Sequence, residues 1–461
     1  MAKSIRFYVA LWYGKLLRKA MLLIGRNATF SPGYYSLMVN PDILKQLKKP
    51  VHLYGVTGTN GKTTTAHFIA DFLTSRGVKY IHNSYGSNTV EGLISTLYEH
   101  TSWKGELPYD YGIMEIDERS SKHIYRGMTP EFLIVTNLFR DSYKRNAHVD
   151  FIFDLIDDNL PKETTLIVNA DDLISSRLGK DNRHVTFGID PLEGEEEGRN
   201  NNVIDIENCP ECDHPLRKDF VRYNHLGRFT CENCGHTNPP RDYAITRIDK
   251  QKETCYLNHR GVEWEFSLPS KNIVDLYNLL SSVTLLHEAG FSMEDLQATF
   301  NQIKVIESRF LEERCGDIDV VFLMAKAINP IASSRSFDYI RKQTGRIAVI
   351  LGNTEIKAGG KNEENIAWLY DIDFHFLKQD NIVQFITLGK RHKDVEVRLL
   401  LAGIDKEKIT SFGTFSSDIA HAIDYKNVDK IYILNDTDNI PEMMQVREKV
   451  AQLAREAKDE N

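Results

Sequence analysis

The 461-residue sequence contains no run of ~18 or more uncharged apolar residues, so no transmembrane helix is expected. It has no internal repeat and no low-complexity block, and its balanced composition rules out disordered, collagen and coiled-coil classes. It has no excess of positive charge. Lys and Arg number 57 against 65 Asp and Glu, a net charge of −8, which argues against bulk binding to a nucleic-acid backbone. Cysteine is scarce. Six in a chain of this length do not make a disulfide framework. With no secretory signal pattern, a cytoplasmic, reducing environment is expected. What remains is ordinary for a globular protein: 41% hydrophobic and 26% charged residues, enough chain for two or three domains and a large core.

The first 41 residues depart from the acidic balance. They carry Lys3, Arg6, Lys15, Arg18, Lys19 and Arg26 and no acid. Val9, Trp12, Tyr13, Leu16, Leu17, Ala20, Met21 and Ile24 recur at helical spacing, with Lys15 and Arg18 on the opposite side. Such a helix suits an anionic membrane surface or a lipid-linked substrate. It equally suits packing on its own domain.

Downstream, short apolar runs alternate with helical patterns. Strands are predicted at His52–Val56, Tyr80–Asn83, Gly112–Ile116, Phe132–Thr136 and Thr165–Asn169, with a helix at Thr63–Arg76. This alternation predicts an α/β fold, a parallel sheet covered by helices. Between about 190 and 245 the composition turns to Glu, Gly, Asn and Pro, as in an insertion. A long helix is predicted at Asn272–Ala289, ended by Gly290. A second α/β unit follows, with strands at Asp319–Leu323, Ile347–Leu351, Val383–Leu388 and Lys430–Leu434 and a closing helix at Met443–Ala457. The predicted organisation is a basic amphipathic segment at 1–48, a central α/β domain at 49–304 with an insertion at about 200–245, and a smaller Rossmann-like C-terminal domain at 305–461.

The strongest chemical signal is Gly55-Val-Thr-Gly58-Thr59-Asn60-Gly61-Lys62-Thr63-Thr64-Thr65, set between a predicted strand and helix. Backbone N–H groups in such a loop cradle phosphate oxygens. Lys62 would neutralise the β- and γ-phosphates of ATP, and the Thr63 hydroxyl would ligate Mg²⁺. The strict P-loop pattern fails at one place, since its first glycine falls on Val56. The bland alternative is a glycine-rich turn that binds nothing.

Cys209-Pro-Glu-Cys212 and Cys231-Glu-Asn-Cys234 are separated by 18 residues. Each pair aims two thiolates at one point, and two pairs complete a tetrahedral zinc site with all four positions filled, hence a structural one. A redox pair is the alternative. His214, His225 and His236 are read as bystanders.

The T-G-T-N-G-K-T-T form resembles the Mur ligase family, which also includes the folylpolyglutamate synthases. The resemblance extends to Met114-Glu115-Ile116-Asp117-Glu118, Thr136-Asn137-Leu138-Phe139-Arg140-Asp141, Asn169-Ala170-Asp171-Asp172, Leu276-Tyr277-Asn278 and Trp368-Leu369-Tyr370-Asp371. A Mur-ligase core carrying a four-cysteine zinc ribbon is similar to the MurT-like branch, the ligase subunits of lipid II isoglutaminyl synthase. The resemblance implies a central P-loop ATPase domain with a zinc-ribbon insertion and an α/β C-terminal domain. It implies that Gly58, Thr59, Asn60, Gly61, Lys62, Thr63, Thr64, Asn137 and Asn278 contact the nucleotide. Thr63 and Glu115 would hold Mg²⁺, and Lys62, Glu115 and Arg309 would serve the chemistry. The implied activity is activation of the D-Glu α-carboxylate of lipid II as an acyl phosphate, then amidation with ammonia from a GatD-like glutaminase. The implied location is cytoplasmic, with a peripheral position at the inner face of the membrane as an option.

Departures from the family pattern stand mainly in the C-terminal half. Asn362 and Asn365 occupy positions where aspartates are expected, one of which would complete the glutaminase partner's Cys-His pair. An Asn cannot carry the charge that orients a protonated His, so the partnership is in question. Asp275, Lys144-Arg145, Ser308-Arg309 and Lys326-Ala-Ile-Asn329-Pro330 also differ from the pattern. Two other readings therefore stay open: a ligase that joins a different amine or amino acid without a glutaminase, and a non-catalytic ATP-binding scaffold of wall synthesis.

Overall fold

The apolar run His52–Thr57 forms β1 at the centre of a nine-stranded sheet. The computed structural model describes residues 3–84, 87–140, 148–192, 195, 201–270, 272–303, 310–325, 329–352, 366–435 and 440–457. They fall into two compact units. The first takes residues 1–140, 148–199 and 205–305, and the second 141–147, 200–204 and 306–461.

In the first unit, β1 is followed by β2 (Tyr80–His82), β3 (Tyr111–Glu115), β4 (Phe132–Val135), β5 (Thr165–Asn169), β6 (His184–Ile189), β7 (Leu216–Tyr223), β8 (Leu226–Cys231), β9 (Tyr243–Asp249), β10 (Thr254–His259) and β11 (Val262–Ser267). The large sheet runs β11-β10-β9-β6-β5-β4-β1-β3-β2. Strands β1 to β6 are parallel, and β9 joins the edge of β6 in parallel. The parallel strands are buried on both faces, so they read as unbroken apolar runs. The expected all-parallel sheet needs one correction: β9, β10 and β11 form an antiparallel meander. Its strands carry only short apolar stretches, and exposed charges such as Arg247 and Glu263 hid them from a search for apolar runs. Strands β7 and β8 form a separate two-stranded hairpin in the expected insertion.

The sheet reverses its order of growth at β1, which lies between β3 and β4. Crevices at the carboxyl ends of strands open at such switch points. The register brings Val56 beside Glu115 and Thr57 beside Val135. The loop after β1 is thereby flanked by the end of β3 on one side and the end of β4 on the other. The helix Lys62–Ser75 follows this loop, and the helix Ile273–Glu288 packs against it. The latter is buried on nearly every side, its start capped by the Asn272 side chain accepting from Val274 N–H.

Two N-terminal helices, Ile5–Leu23 and Ser31–Val39, pack on the helix Val90–His100 of the same unit. Phe7, Ala10, Leu11 and Gly14 make the buried face of the first. The predicted stripe does not: Val9, Trp12, Tyr13, Leu16 and Ile24 are exposed. Lys15 and Arg18 turn inward instead. Lys15 donates to the carbonyls of Tyr98 and Thr101, and Arg18 pairs with Glu99 at 2.8 Å.

The second unit holds a six-stranded sheet made of β12 (Phe310–Cys315), β13 (Ile318–Met324), β14 (Ile347–Gly352), β15 (Ile382–Leu388), β16 (Ile409–Phe412) and β17 (Lys430–Asn435). Its order is β12-β13-β17-β14-β15-β16, with only β12 antiparallel. Helices Pro330–Arg341, His392–Leu401 and Ile440–Glu456 accompany it. Asn329 caps the first through its side chain, accepting from Ala332 N–H at 2.9 Å. Asp373 is fully buried and accepts from Asn201 Nδ2 at 2.6 Å and Asn202 N–H at 2.5 Å. A short piece of chain near residue 200 thus belongs to this unit.

Gly33 shows how tightly the N-terminal helices seat. A Cβ there would lie 1.9 Å from the backbone carbonyl oxygen of Glu91, which cannot rotate away. Gly33→Ala is expected to lower the unfolding free energy by about 1–3 kcal/mol, as overpacking does. Thermal or urea unfolding of the two proteins checks it.

Candidate active site

The turn from β1 into the next helix needs two glycines. Gly58 has φ 123° and Gly61 has φ 91°, both in the region that favours glycine. A Cβ on Gly61 would also fall 2.2 Å from Asn278 Oδ1, and one on Gly58 would fall 2.2 Å from Thr136 Oγ1. The first intrahelical bond runs from Thr65 N–H to the Gly61 carbonyl. The preceding amides of the first helical turn have no intrahelical acceptor. They gather at a positive helix end, the standard setting for a phosphate.

Four buried asparagine and threonine side chains hold this loop in place. Asn137 Oδ1 accepts from Asn60 N–H at 3.1 Å, while its Nδ2 donates to the Asn60 carbonyl at 3.1 Å. Thr136 Oγ1 donates to the same carbonyl at 2.7 Å. Thr59 Oγ1 donates to the Phe139 carbonyl and accepts from Phe139 N–H. Asn278 Oδ1 accepts from Thr65 Oγ1 at 3.3 Å. Asn137 and Asn278, chosen from sequence as nucleotide contacts, stand against the loop itself.

Lys62 and Glu115 lie on opposite sides of the loop's exit. Lys62 Nζ pairs with Glu118 Oε1 at 2.8 Å and donates to the Gly58 carbonyl. Glu118 was quoted in the family string at 114–118 without a role. The clustering of three acids there was the only signal for it. Thr63 Oγ1 donates to Glu115 Oε2 at 2.9 Å. Asn83 fixes the Glu115 backbone in both directions, at 2.9 Å each. Burial raises the Glu115 carboxyl above its ordinary range, with the Thr63 hydroxyl and Lys62 opposing. Its Oε1 has no hydrogen-bond partner among the described residues and stands 3.9 Å from Nε2 of the buried His82, whose pKa burial pulls down to about 4. A hydroxyl and a carboxylate with an orphaned oxygen are hard oxygen donors, and they fit Mg²⁺. Arg309 and Asn362, the remaining candidates, lie outside the described residues.

The four cysteines converge. Cys209 and Cys234 have Sγ atoms 3.5 Å apart, as do Cys212 and Cys231. All four sulfurs lie within 4.8 Å of one another, and no disulfide joins them. Bonds of about 2.3 Å around a tetrahedral zinc would set sulfurs roughly 3.8 Å apart, so the cluster fits that ion. The two turns are alike. Cys209 N–H donates to the His214 carbonyl and Cys231 N–H to the His236 carbonyl, each at 2.8 Å. The positive φ that each turn needs is supplied by Asp213 in one and Gly235 in the other.

The hairpin that carries Cys231 also reaches the core beside the loop. At its tip, His225 is fully buried, with Nε2 3.3 Å from Asp172 and Nδ1 3.6 Å from Asp205. Burial pulls its pKa down, but the two carboxylates prevail and raise it to about 9. His225 stays outside the cysteine cluster, as expected, but is held by two acids of the core. Asp172 also accepts from Leu138 N–H at 2.8 Å, and Asp205 pairs with Arg140 at 2.5 Å. His225 stacks near Phe139, with ring centroids 4.3 Å apart. Three residues back, Arg222 is buried against Asp171, Glu195 and the Tyr277 hydroxyl. Sequence reasoning missed His225, Arg222 and Asp205, because no spacing rule links a hairpin tip to acids distant in the chain.

Two family models match the chain: the Mur ligase middle domain over residues 56–234 and the MurT ligase C-terminal model over 327–437. Lipid II isoglutaminyl synthase (glutamine-hydrolyzing) subunit MurT of Staphylococcus aureus is 28% identical over 425 residues, 92% of this chain and 94% of that protein. The same subunit of Streptococcus pneumoniae is 25% identical over 435 residues, 94% of each. A solved pseudomurein peptide ligase type C from Methanothermus fervidus shares the fold, with a TM-score of 0.63 at 18% identity, covering 91% of this chain and 81% of the other. Fold, phosphate loop and matches together define an ATP-dependent ligase of the Mur type. Within that class, the chain is a homologue of the MurT subunits along nearly its whole length.

His225 generates a test with a definite sign. Its raised pKa contributes stability that is fully present below about 6.5, the ordinary imidazole value, and is lost as pH rises through about 9. Replacing one member of a buried ionic group is strongly destabilising, so His225→Gln should cost about 3–5 kcal/mol. Urea unfolding from pH 6 to 10 (about that range, spanning both values) should show the decline in the native protein and a flatter profile in the variant.

Proposed function

We propose that this chain is the ATP-consuming ligase subunit of a lipid II isoglutaminyl synthase. It activates the α-carboxylate of D-Glu in the lipid II stem peptide, and ammonia converts the activated carboxylate to the amide of D-isoglutamine. The observation that carries this reading is the near full-length match to MurT subunits, including the C-terminal model at 327–437. That region separates MurT subunits from the amino-acid-adding Mur ligases, which match this chain over about a third of its length.

ATP with Mg²⁺ supplies the phosphoryl group and the counter-charge. The residues of the chain supply position. The loop Gly58–Thr64 and the amides of the following helical turn hold the phosphates. Thr63 and Glu115 hold the cation, and Lys62, released from Glu118, stabilises charge on the moving phosphoryl group. The family resemblance assigns Arg309, which lies outside the described residues, to the same charge. Cys209, Cys212, Cys231 and Cys234 hold a structural zinc that fixes the hairpin. A GatD-like glutaminase supplies ammonia in the cytoplasm for a lipid-linked acceptor.

A second reading has one observation behind it. Asn362 and Asn365 stand where aspartates are expected, which favours an amine source other than a docked glutaminase. The mass of lipid II after incubation with the protein, ATP, Mg²⁺ and ammonium salt separates the readings. The small mass decrease of an OH-to-NH₂ exchange supports amidation. An unchanged mass with ATP still bound moves the weight to another amine.

Two expectations accompany the proposal. Lys62→Met should lower kcat for ammonium-dependent amidation by about 10²-fold or more, as loss of one preorganised charge does, with folding unchanged by circular dichroism. Metal analysis should find one zinc per chain, and Cys212→Ser should lose it and lower the melting temperature.

A further inference from the structure

We propose that the outer face of the two N-terminal helices is a docking surface for an anionic lipid bilayer. This goes beyond the proposed function and holds whichever carboxylate is amidated. The first helix buries Phe7, Ala10, Leu11 and Gly14. That leaves a second apolar face directed at solvent, with Trp12 48%, Leu16 58%, Leu23 88% and Ile24 68% exposed.

The face continues onto the second helix. Tyr13 meets Tyr35 with ring centroids 6.5 Å apart, Tyr35 meets Tyr34 at 5.3 Å, and Tyr34 stacks with Phe30 at 5.8 Å. Met38 extends it further at 64% exposed. A contiguous patch of this kind is unusual on a surface that meets only water.

Charge selects the occupant. No acid stands in residues 1–41. Lys15 and Arg18 are used inside the protein. Lys19 and Arg26 are exposed and have no carboxylate partner among the described residues, Lys19 lying over the Trp103 ring at 5.1 Å. Aromatic side chains, aliphatic side chains and a basic rim without acids are the composition of a helix lying in a bilayer interface. A second copy of this chain would be a poor occupant, because a two-fold contact would set basic rims against each other. No described helix is long and apolar enough to cross a membrane, so the contact is superficial.

Co-sedimentation with vesicles tests the proposal on the full-length protein, without ATP or acceptor, so its outcome is separate from that of the amidation assay. Vesicles of phosphatidylcholine mixed with phosphatidylglycerol should bind the protein, more weakly at high salt, and phosphatidylcholine alone should bind it less. Lys19→Gln and Arg26→Gln should each weaken binding about fivefold, the worth of one basic residue at an anionic surface. Trp12→Ser with Leu23→Ser should abolish it while leaving the unfolding transition in place. The proposal is overturned if neither vesicle binds. It is overturned equally if the serine variant binds as well as the native protein, or if the patch instead drives a concentration-dependent dimer that the serine variant loses.

Discussion

Asp171 and Asp172 are adjacent, and both are withdrawn completely from water. Two charges so placed are tolerable only with cations and donors brought to them, and much of the first unit is arranged to bring them. Arg222, Arg241 and the Tyr277 hydroxyl converge on Asp171. His225 and three backbone amides converge on Asp172. These partners come from the hairpin, from the strand after it and from the long buried helix. One dipeptide therefore ties the insertion, the sheet and the helix into a single arrangement. The same Asp172 holds the amide of Leu138, next to the asparagine that braces the phosphate loop.

The loop shows a second layer of the same logic. Its glycines create a backbone path that no other residue follows easily, and its neighbours then fix that path. Asn137 and Thr136 come from the end of β4, Glu115 from the end of β3, and Asn278 from the long helix. Sheet register decides the first two and helix packing the third. The site is thus a consequence of where β1 lies in the sheet, and it is supported by groups that need not touch a nucleotide themselves.

The strands β1 to β5, the helix after the loop and the long helix at 273–288 were legible in the sequence, because buried parallel strands are continuous apolar runs and helix ends carry caps. The adjacency of Thr63 and Glu115 was legible through a family string, and the convergence of the four cysteines through spacing. The meander β9–β11 was not, since its outward residues are charged. Nor were His225, Arg222 and Asp205, whose meaning lies in contacts between segments far apart in the chain. The N-terminal stripe was legible as a pattern, but its direction was not. Periodicity reports that a helix has an apolar face, and here the helix has two, of which Phe7, Ala10 and Leu11 won the interior.

Lys62 rests on Glu118, which follows the end of β3, and on the carbonyl of Gly58 in its own loop. A phosphate arriving there meets a cation already in partnership. Its arrival is an exchange of one anion for another, and the carboxylate set free must find new company among water or metal. Affinity at this loop is then a difference between two attachments of the same ammonium group. A loop whose lysine is held in this way favours an incoming group with more charge than a single carboxylate. A triphosphate meets that condition, and the many monoanions of a cell do not.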